Sequence, residues 1–232
     1  MIRKGFSIIV FLLILAATAA LGQSVNAPGR VSGKVSDDRG GVAANATVTL
    51  RPTGPAKVEL YRTVTGKDGS YLFTNIPAGI YTLCIQSDDQ NTHLNPCVWS
   101  DKPQTVTVSP ANLTVVTNPT VEKGALLRVR INDPSLALVR KSPTDPVLLV
   151  GVWNAQHVFY PLAQVAKDSG GATYQANVPF ATDLKVSLHG PAIQMQVDRA
   201  AAISGASTIL PVRIEKTSTS KDLTIDVIGR TK

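Results

Sequence analysis

Apolar and polar side chains alternate in short runs from residue 31 onward, the period-two rhythm of strands that bury one face. Residues 31–35 open the series, and residues 46–50 set Val48 and Leu50 on one side with Thr47 and Thr49 on the other. The rhythm returns at 58–64, 71–73, 80–85, 105–108 and 113–117. Between these runs stand Asp37-Asp38-Arg39-Gly40-Gly41, Lys67-Asp68-Gly69 and Pro77-Ala78-Gly79, turn-forming clusters in which glycine accepts positive φ. No stretch carries the 3.6-residue apolar stripe of an amphipathic helix. Many short strands at this spacing predict a β-sandwich.

A break at Asn118-Pro119 precedes a second series, at 126–131, 147–153, 158–162, 173–178, 184–188, 193–197, 208–214 and 223–228. Its separators include Ser142-Pro143-Thr144-Asp145-Pro146, Ser169-Gly170-Gly171 and His189-Gly190-Pro191. Residues 200–203 read as one helical turn at most. The pattern predicts an all-β chain of two tandem β-sandwich domains, residues 29–122 and 124–232, with no sequence repeat between them.

The first residues follow a different rule. Arg3 and Lys4 precede an apolar run over 6–15 and a small-residue stretch, Ala16-Ala17-Thr18-Ala19-Ala20. That order predicts a secretory signal peptide over 1–22, cut after Gly22; Ala17-Thr18-Ala19 offers a second cleavage point. The alternative is an uncleaved N-terminal anchor, because residues 5–21 just span a thin bilayer. Both readings place the rest of the chain outside the cytoplasm, secreted or periplasmic. No cysteine follows the run for lipid attachment, and nothing downstream approaches a second span.

Charge adds little to this picture. Removing Arg3 and Lys4 from the 23 basic side chains leaves 21 against 16 acidic ones, a net charge of +5. The charges are dispersed, with no basic stripe and interleaved aromatics, so nucleic-acid binding has no support. Cys84 and Cys97 are the two cysteines. In an oxidising compartment an isolated pair is most simply one disulfide. Two free thiols, or half of a metal site, would be the alternative, but no further Cys or nearby His pair completes a site.

Within the first series stand Val31-Ser32-Gly33-Lys34-Val35 and Gly40-Gly41-Val42-Ala43-Ala44-Asn45-Ala46-Thr47-Val48-Thr49-Leu50. Thr65-Gly66-Lys67-Asp68-Gly69-Ser70-Tyr71-Leu72-Phe73 and Ile76-Pro77-Ala78-Gly79-Ile80-Tyr81-Thr82-Leu83 follow. Together they make residues 29–122 resemble the carboxypeptidase regulatory-like family, a transthyretin-like β-sandwich grouped with starch-binding-like folds. Ala43-Ala44-Asn45 stands where that family usually has a proline-containing loop. The resemblance implies an accessory module without catalytic residues of its own, and offers carbohydrate binding as a fold-level analogy.

The residues that could carry chemistry point the same way. A carboxypeptidase needs zinc held by paired His and Glu ligands, yet His93, His157 and His189 stand far apart in no such motif. No Gly-x-Ser-x-Gly elbow is present, and no metal or cofactor is implied. Asp37, Asp38 and Asp68 could hold calcium if their loops share one end of the sandwich; solvated turn residues are the plainer reading. Aromatic residues offer the remaining binding candidates. Trp99 lies beyond Cys97 near His93, and Trp153 and Tyr160 flank the turn Asn154-Ala155-Gln156-His157. The expectation is an exported, non-catalytic interaction or structural module at the cell envelope. Its partner is an envelope protein or a glycan not specified by the sequence, the alternative reading being a carbohydrate-binding protein that uses exposed aromatics among Trp99, His93, Trp153 and Tyr160.

Overall fold

The computed structural model describes residues 27–54, 59–87, 92–154 and 157–231. The expected signal segment and Val58, the start of one expected strand, lie outside the described residues. The chain is nearly all β. Its first part runs β1 (Gly29–Lys34), β2 (Ser36–Asp37), β3 (Thr47–Pro52), β4 (Tyr61–Val64), β5 (Ser70–Ile76) and β6 (Gly79–Gln86). A four-residue helix α1 (Pro96–Trp99) precedes β7 (Thr105–Val108), β8 (Thr114–Val116) and β9 (Thr120–Val121).

Three strands in the order β5-β1-β8 face four in the order β4-β3-β6-β7, while β2 pairs with β9. The alternation read from the sequence fills the space between them. Val31, Val48, Leu50, Tyr71, Phe73, Tyr81, Leu83 and Ile85 are buried in one cluster. Fully burying an aliphatic side chain of this size contributes roughly 1.5–3 kcal/mol. Two glycines are dictated by close approach. Gly69 turns the chain at φ +77°, and Gly33 lies so near Thr117 that a Cβ would fall 1.7 Å from its carbonyl oxygen. Only glycine fits such contacts without moving backbone.

The second part runs β10 (Ala125–Asn132), β11 (Leu149–Trp153), β12 (Phe159–Pro161), β13 (Ala163–Asp168), β14 (Gly171–Val178), β15 (Leu184–Val197), β16 (Ile203–Val212) and β17 (Ser220–Arg230). These form one eight-stranded sheet in the order β12-β11-β15-β17-β10-β14-β13, with β16 on β15. The end strands β12 and β13 are separated in the chain by Leu162 alone. The sheet must therefore curl until its ends nearly meet, and it wraps a second buried cluster built on Leu127, Ile131, Val152, Leu184, Val186 and Ile225.

Two expectations fail here. His189-Gly190-Pro191 does not end a strand: β15 runs through it with a bulge, its pairing to β16 shifting between His189 and Ile193. An irregularity absorbs the proline, which has no amide to give to a ladder. Residues 200–203 form no helical turn either. Asp198 and Arg199, at φ +47° and +63°, make the tight reversal between β15 and β16, and Ile203 opens β16. Paired positive φ values are what a right-twisted hairpin needs.

The passage between the two clusters is paired backbone. Leu94 N–H donates to Glu122 O at 2.8 Å and Gly124 N–H to Thr92 O at 2.6 Å, with His93 bridged to Lys123 between them. Among the described residues, no helix is long and apolar enough to cross a membrane.

Candidate functional site

The junction is built around α1. Asn95 caps it by accepting Cys97 N–H at 3.0 Å, and Pro96 occupies the first turn. These are strong helix-start residues. The Cys84–Cys97 disulfide, with Cα atoms 5.3 Å apart, ties the helix to β6. Its last residue, Trp99, is thereby carried out of the first cluster and packs, half-buried, against the second. The indole meets the Tyr160 ring edge-on, with centroids 6.3 Å apart. Asn154 fixes the same helix from the other side, donating its side-chain amide to Val98 O at 2.9 Å.

Beside Trp99 lies a groove of about 260 Å³, shared by Gln86, Asn95, Tyr160, Gln175 and Asn177 with His93 beneath them. Asn177 donates to His93 O at 3.3 Å and lies 3.4 Å from Ser87 Oγ. Burial raises the Tyr160 phenol above its ordinary pKa, and a hydrogen bond from Gln86 works against that rise. The groove therefore sets one aromatic wall, Trp99 and Tyr160, against side-chain amides from β6, the cap of α1 and β14. That arrangement suits a small polar ligand or an extended segment with hydrogen-bonding groups. Trp99 also borders a second cleft of about 510 Å³, next to Lys102 and Gln104.

Three of the four expected binding residues, His93, Trp99 and Tyr160, thus meet at one place. His93 serves it through its backbone. Its ring is buried, both nitrogens lack a hydrogen bond of ordinary geometry among the described residues, and Nε2 lies 3.5 Å from Asp37 Oδ2. Asp37 is itself buried and accepts from Gly41 N–H at 2.6 Å and Arg39 N–H at 2.9 Å, with Lys123 Nζ at 3.2 Å. Burial would raise its pKa, but these donors and His93 hold it down at about 2.

Trp153 belongs elsewhere. Its ring packs against Phe159 and His189, its Nε1 is buried without a hydrogen-bond partner among the described residues, and it borders a separate cavity with His157 and Asp183. His189 Nε2 lies 2.7 Å from Ser187 Oγ. A serine–imidazole contact has the elements of a nucleophile and its base, but Ser187 is completely buried and offers no face to a substrate. The acidic loops that could hold calcium are otherwise occupied. Asp37 is bound as above, and Asp68 accepts from Ser70 and pairs with Lys34 at 3.1 Å. Among the described residues no group of three His, Cys, Asp or Glu side chains could hold a metal ion.

Sequence reading missed Gln86, Gln175 and Asn177, polar strand residues that look like any solvent-facing position. It also missed α1, which Asn95-Pro96 could have signalled.

Residues 30–122 match the carboxypeptidase regulatory-like domain family. No curated protein matches the chain in sequence. Among solved structures, the chain is similar to the Bacillus anthracis TIE protein at 12% identity and a TM-score of 0.34, covering 87% of this chain and 34% of that one. It is similar to a streptococcal ancillary pilin at 9% identity and a TM-score of 0.39, covering 87% and 63%. A DUF3823 family protein from Bacteroides ovatus matches at 13% identity and a TM-score of 0.33, covering 81% and 100%. The chain thus spans less than two thirds of the first two structures.

Proposed function

We propose that this chain is an exported, non-catalytic module of two β domains, residues 29–122 and 124–232, that engages an envelope partner through the groove at their junction. The observation that carries this reading is the convergence of Trp99, Tyr160, Gln86, Asn95 and Gln175 on one groove whose walls come from both halves. The disulfide fits an oxidising compartment, and the match of residues 30–122 to the carboxypeptidase regulatory-like domain family supports an accessory role. A photo-crosslinking residue at Gln175, expressed in the native envelope, tests the proposal. It should yield a discrete adduct that the same residue at Thr107, on β7, does not. Identical adducts from both positions, or none from Gln175, would refute it.

A second reading takes the groove as a carbohydrate site, because one aromatic wall facing several amides suits a sugar ring and its hydroxyls. A glycan array separates the two. Binding that disappears in Gln175→Ala would establish the sugar, whereas a blank array together with a protein adduct would exclude it.

A further inference from the structure

Residues 133–148 join β10 to β11 without regular structure, longer than most connections in a compact fold, where such length usually serves a function. The loop is nevertheless firmly held. Asp133 is buried and accepts Ala137 N–H and Leu138 N–H, each at 2.8 Å. Arg230 donates to Ala137 O at 2.7 Å and Val139 O at 2.9 Å, and pairs with Asp145 at 3.2 Å. Ala137, Leu138 and Leu148 turn inward onto the second core.

The apolar residues between them turn outward. Leu136, Val139 and Val147 are 54%, 51% and 57% exposed, and all three border one cleft of about 420 Å³. Leu136 is held there at φ +55°, a left-handed conformation that a bulky residue adopts only under constraint. The constraint comes from the Asp133 cap. The fold thus spends backbone strain on presenting a leucine to solvent at the mouth of an apolar cleft.

Unpaired cations outnumber unpaired acids around the cleft. The three nearby acids are engaged: Asp133 by its own loop, Asp145 by Arg230, and Asp168 by Arg130 at 2.9 Å. Arg140 and Lys167 line the cleft, Lys141 follows Arg140, and none of the three has a carboxylate partner among the described residues. Exposed apolar tips flanked by uncompensated cations match the interface of an anionic bilayer, where apolar groups enter the acyl boundary and cations meet headgroups.

We propose that the 133–148 loop is a membrane-contact element that seats on an anionic lipid surface, inserting Leu136, Val139 and Val147 while Arg140, Lys141 and Lys167 bind the headgroups. Co-sedimentation of the full chain with vesicles tests this, comparing phosphatidylcholine alone with phosphatidylcholine mixed with phosphatidylglycerol. Wild type should bind the mixed vesicles, and added salt should weaken that binding. Each of Arg140→Gln and Lys167→Gln should lower the binding constant about five-fold. Leu136→Asn should lower it roughly ten-fold; asparagine accepts the left-handed conformation better than leucine, so the fold is kept, as an unchanged thermal melt would show. Equal binding to both vesicles, no binding, or unchanged binding in all three variants would overturn the proposal. So would uptake of a soluble apolar peptide by a protein that ignores vesicles, which would make the cleft a peptide site.

Discussion

The Trp99 indole leaves the helix pinned by Cys97 and rests edge-on against Tyr160, 6.3 Å between centroids, so one ring couples the disulfide of the first half to the core of the second. Trp99→Ala should therefore loosen both halves. A half-buried tryptophan at such a joint is expected to contribute about 2 kcal/mol, below the 3–5 kcal/mol of a fully buried one. Chemical denaturation should show the loss, and hydrogen exchange should rise at Val98 and in β12 together. Faster exchange confined to the first half would mean the ring does not couple them.

Replacing Cys84 and Cys97 by serine opens a loop closed over a sequence separation of 13 residues. The chain-entropy model gives a loss of about 3 kcal/mol. Because the bridge also positions α1, Tyr160 should become more exposed to solvent on reduction of the native protein. Near-ultraviolet absorbance of the tyrosines measures this, and an unchanged spectrum would confine the disulfide to the stability of the first sandwich.

Asp37 sets an acid limit on stability. Its folded pKa of about 2 lies below the ordinary 3.8, so the folded state favours the ionised form. The corresponding stabilisation, roughly 2 kcal/mol, is full above about pH 4 and disappears as the pH falls through about 2. Asp37→Asn should remove that part of the acid dependence and destabilise the protein at neutral pH by leaving Lys123 and His93 without their carboxylate. Parallel unfolding curves for the two proteins from pH 5 to pH 2 (about the range in which the carboxylate titrates) would show that Asp37 carries none of the effect.

Gly69→Ala should cost at least about 1 kcal/mol, because alanine at φ +77° is strained and its Cβ would fall 2.6 Å from Val35 O. Gly33→Ala should be worse. There the clash is with Thr117 O, beside the rungs between β1 and β8. Thermal melts of the two variants should rank in that order, and a Gly33→Ala protein as stable as wild type would contradict the close approach.

Alternation made the first sandwich readable in advance. Val48 and Leu50 point inward and Thr47 and Thr49 outward as their order in the chain suggests, because a half-buried strand writes its two faces directly into its sequence. The long β15 was not readable. Proline and glycine ordinarily mark a turn, and only the partners on both sides show that the chain bulges and continues. Nor does local pattern say that β12 and β13 close the second sheet, since closure depends on pairings far along the chain. The site divides in the same way. Trp99, His93 and Tyr160 stood out as chemical types, but Trp153 stood out equally and lies elsewhere. Gln175 and Asn177 are ordinary strand residues until β14 brings them opposite α1.

The parallel pairing of an early with a late strand in each core has a mechanical consequence. A pull on the chain enters the second core ahead of β10 and leaves beyond β17, and these two strands are parallel neighbours from Leu126–Ser220 to Asn132–Asp226. In the first core β1 lies parallel to β8 in the same sense. Tension on the start of one strand and the end of its neighbour slides them past each other, so the rungs share the force and must fail together. An antiparallel pair pulled from one end would instead unzip rung by rung. Single-molecule stretching should accordingly meet a high rupture force in each half, the response of a tether that holds its length until it breaks.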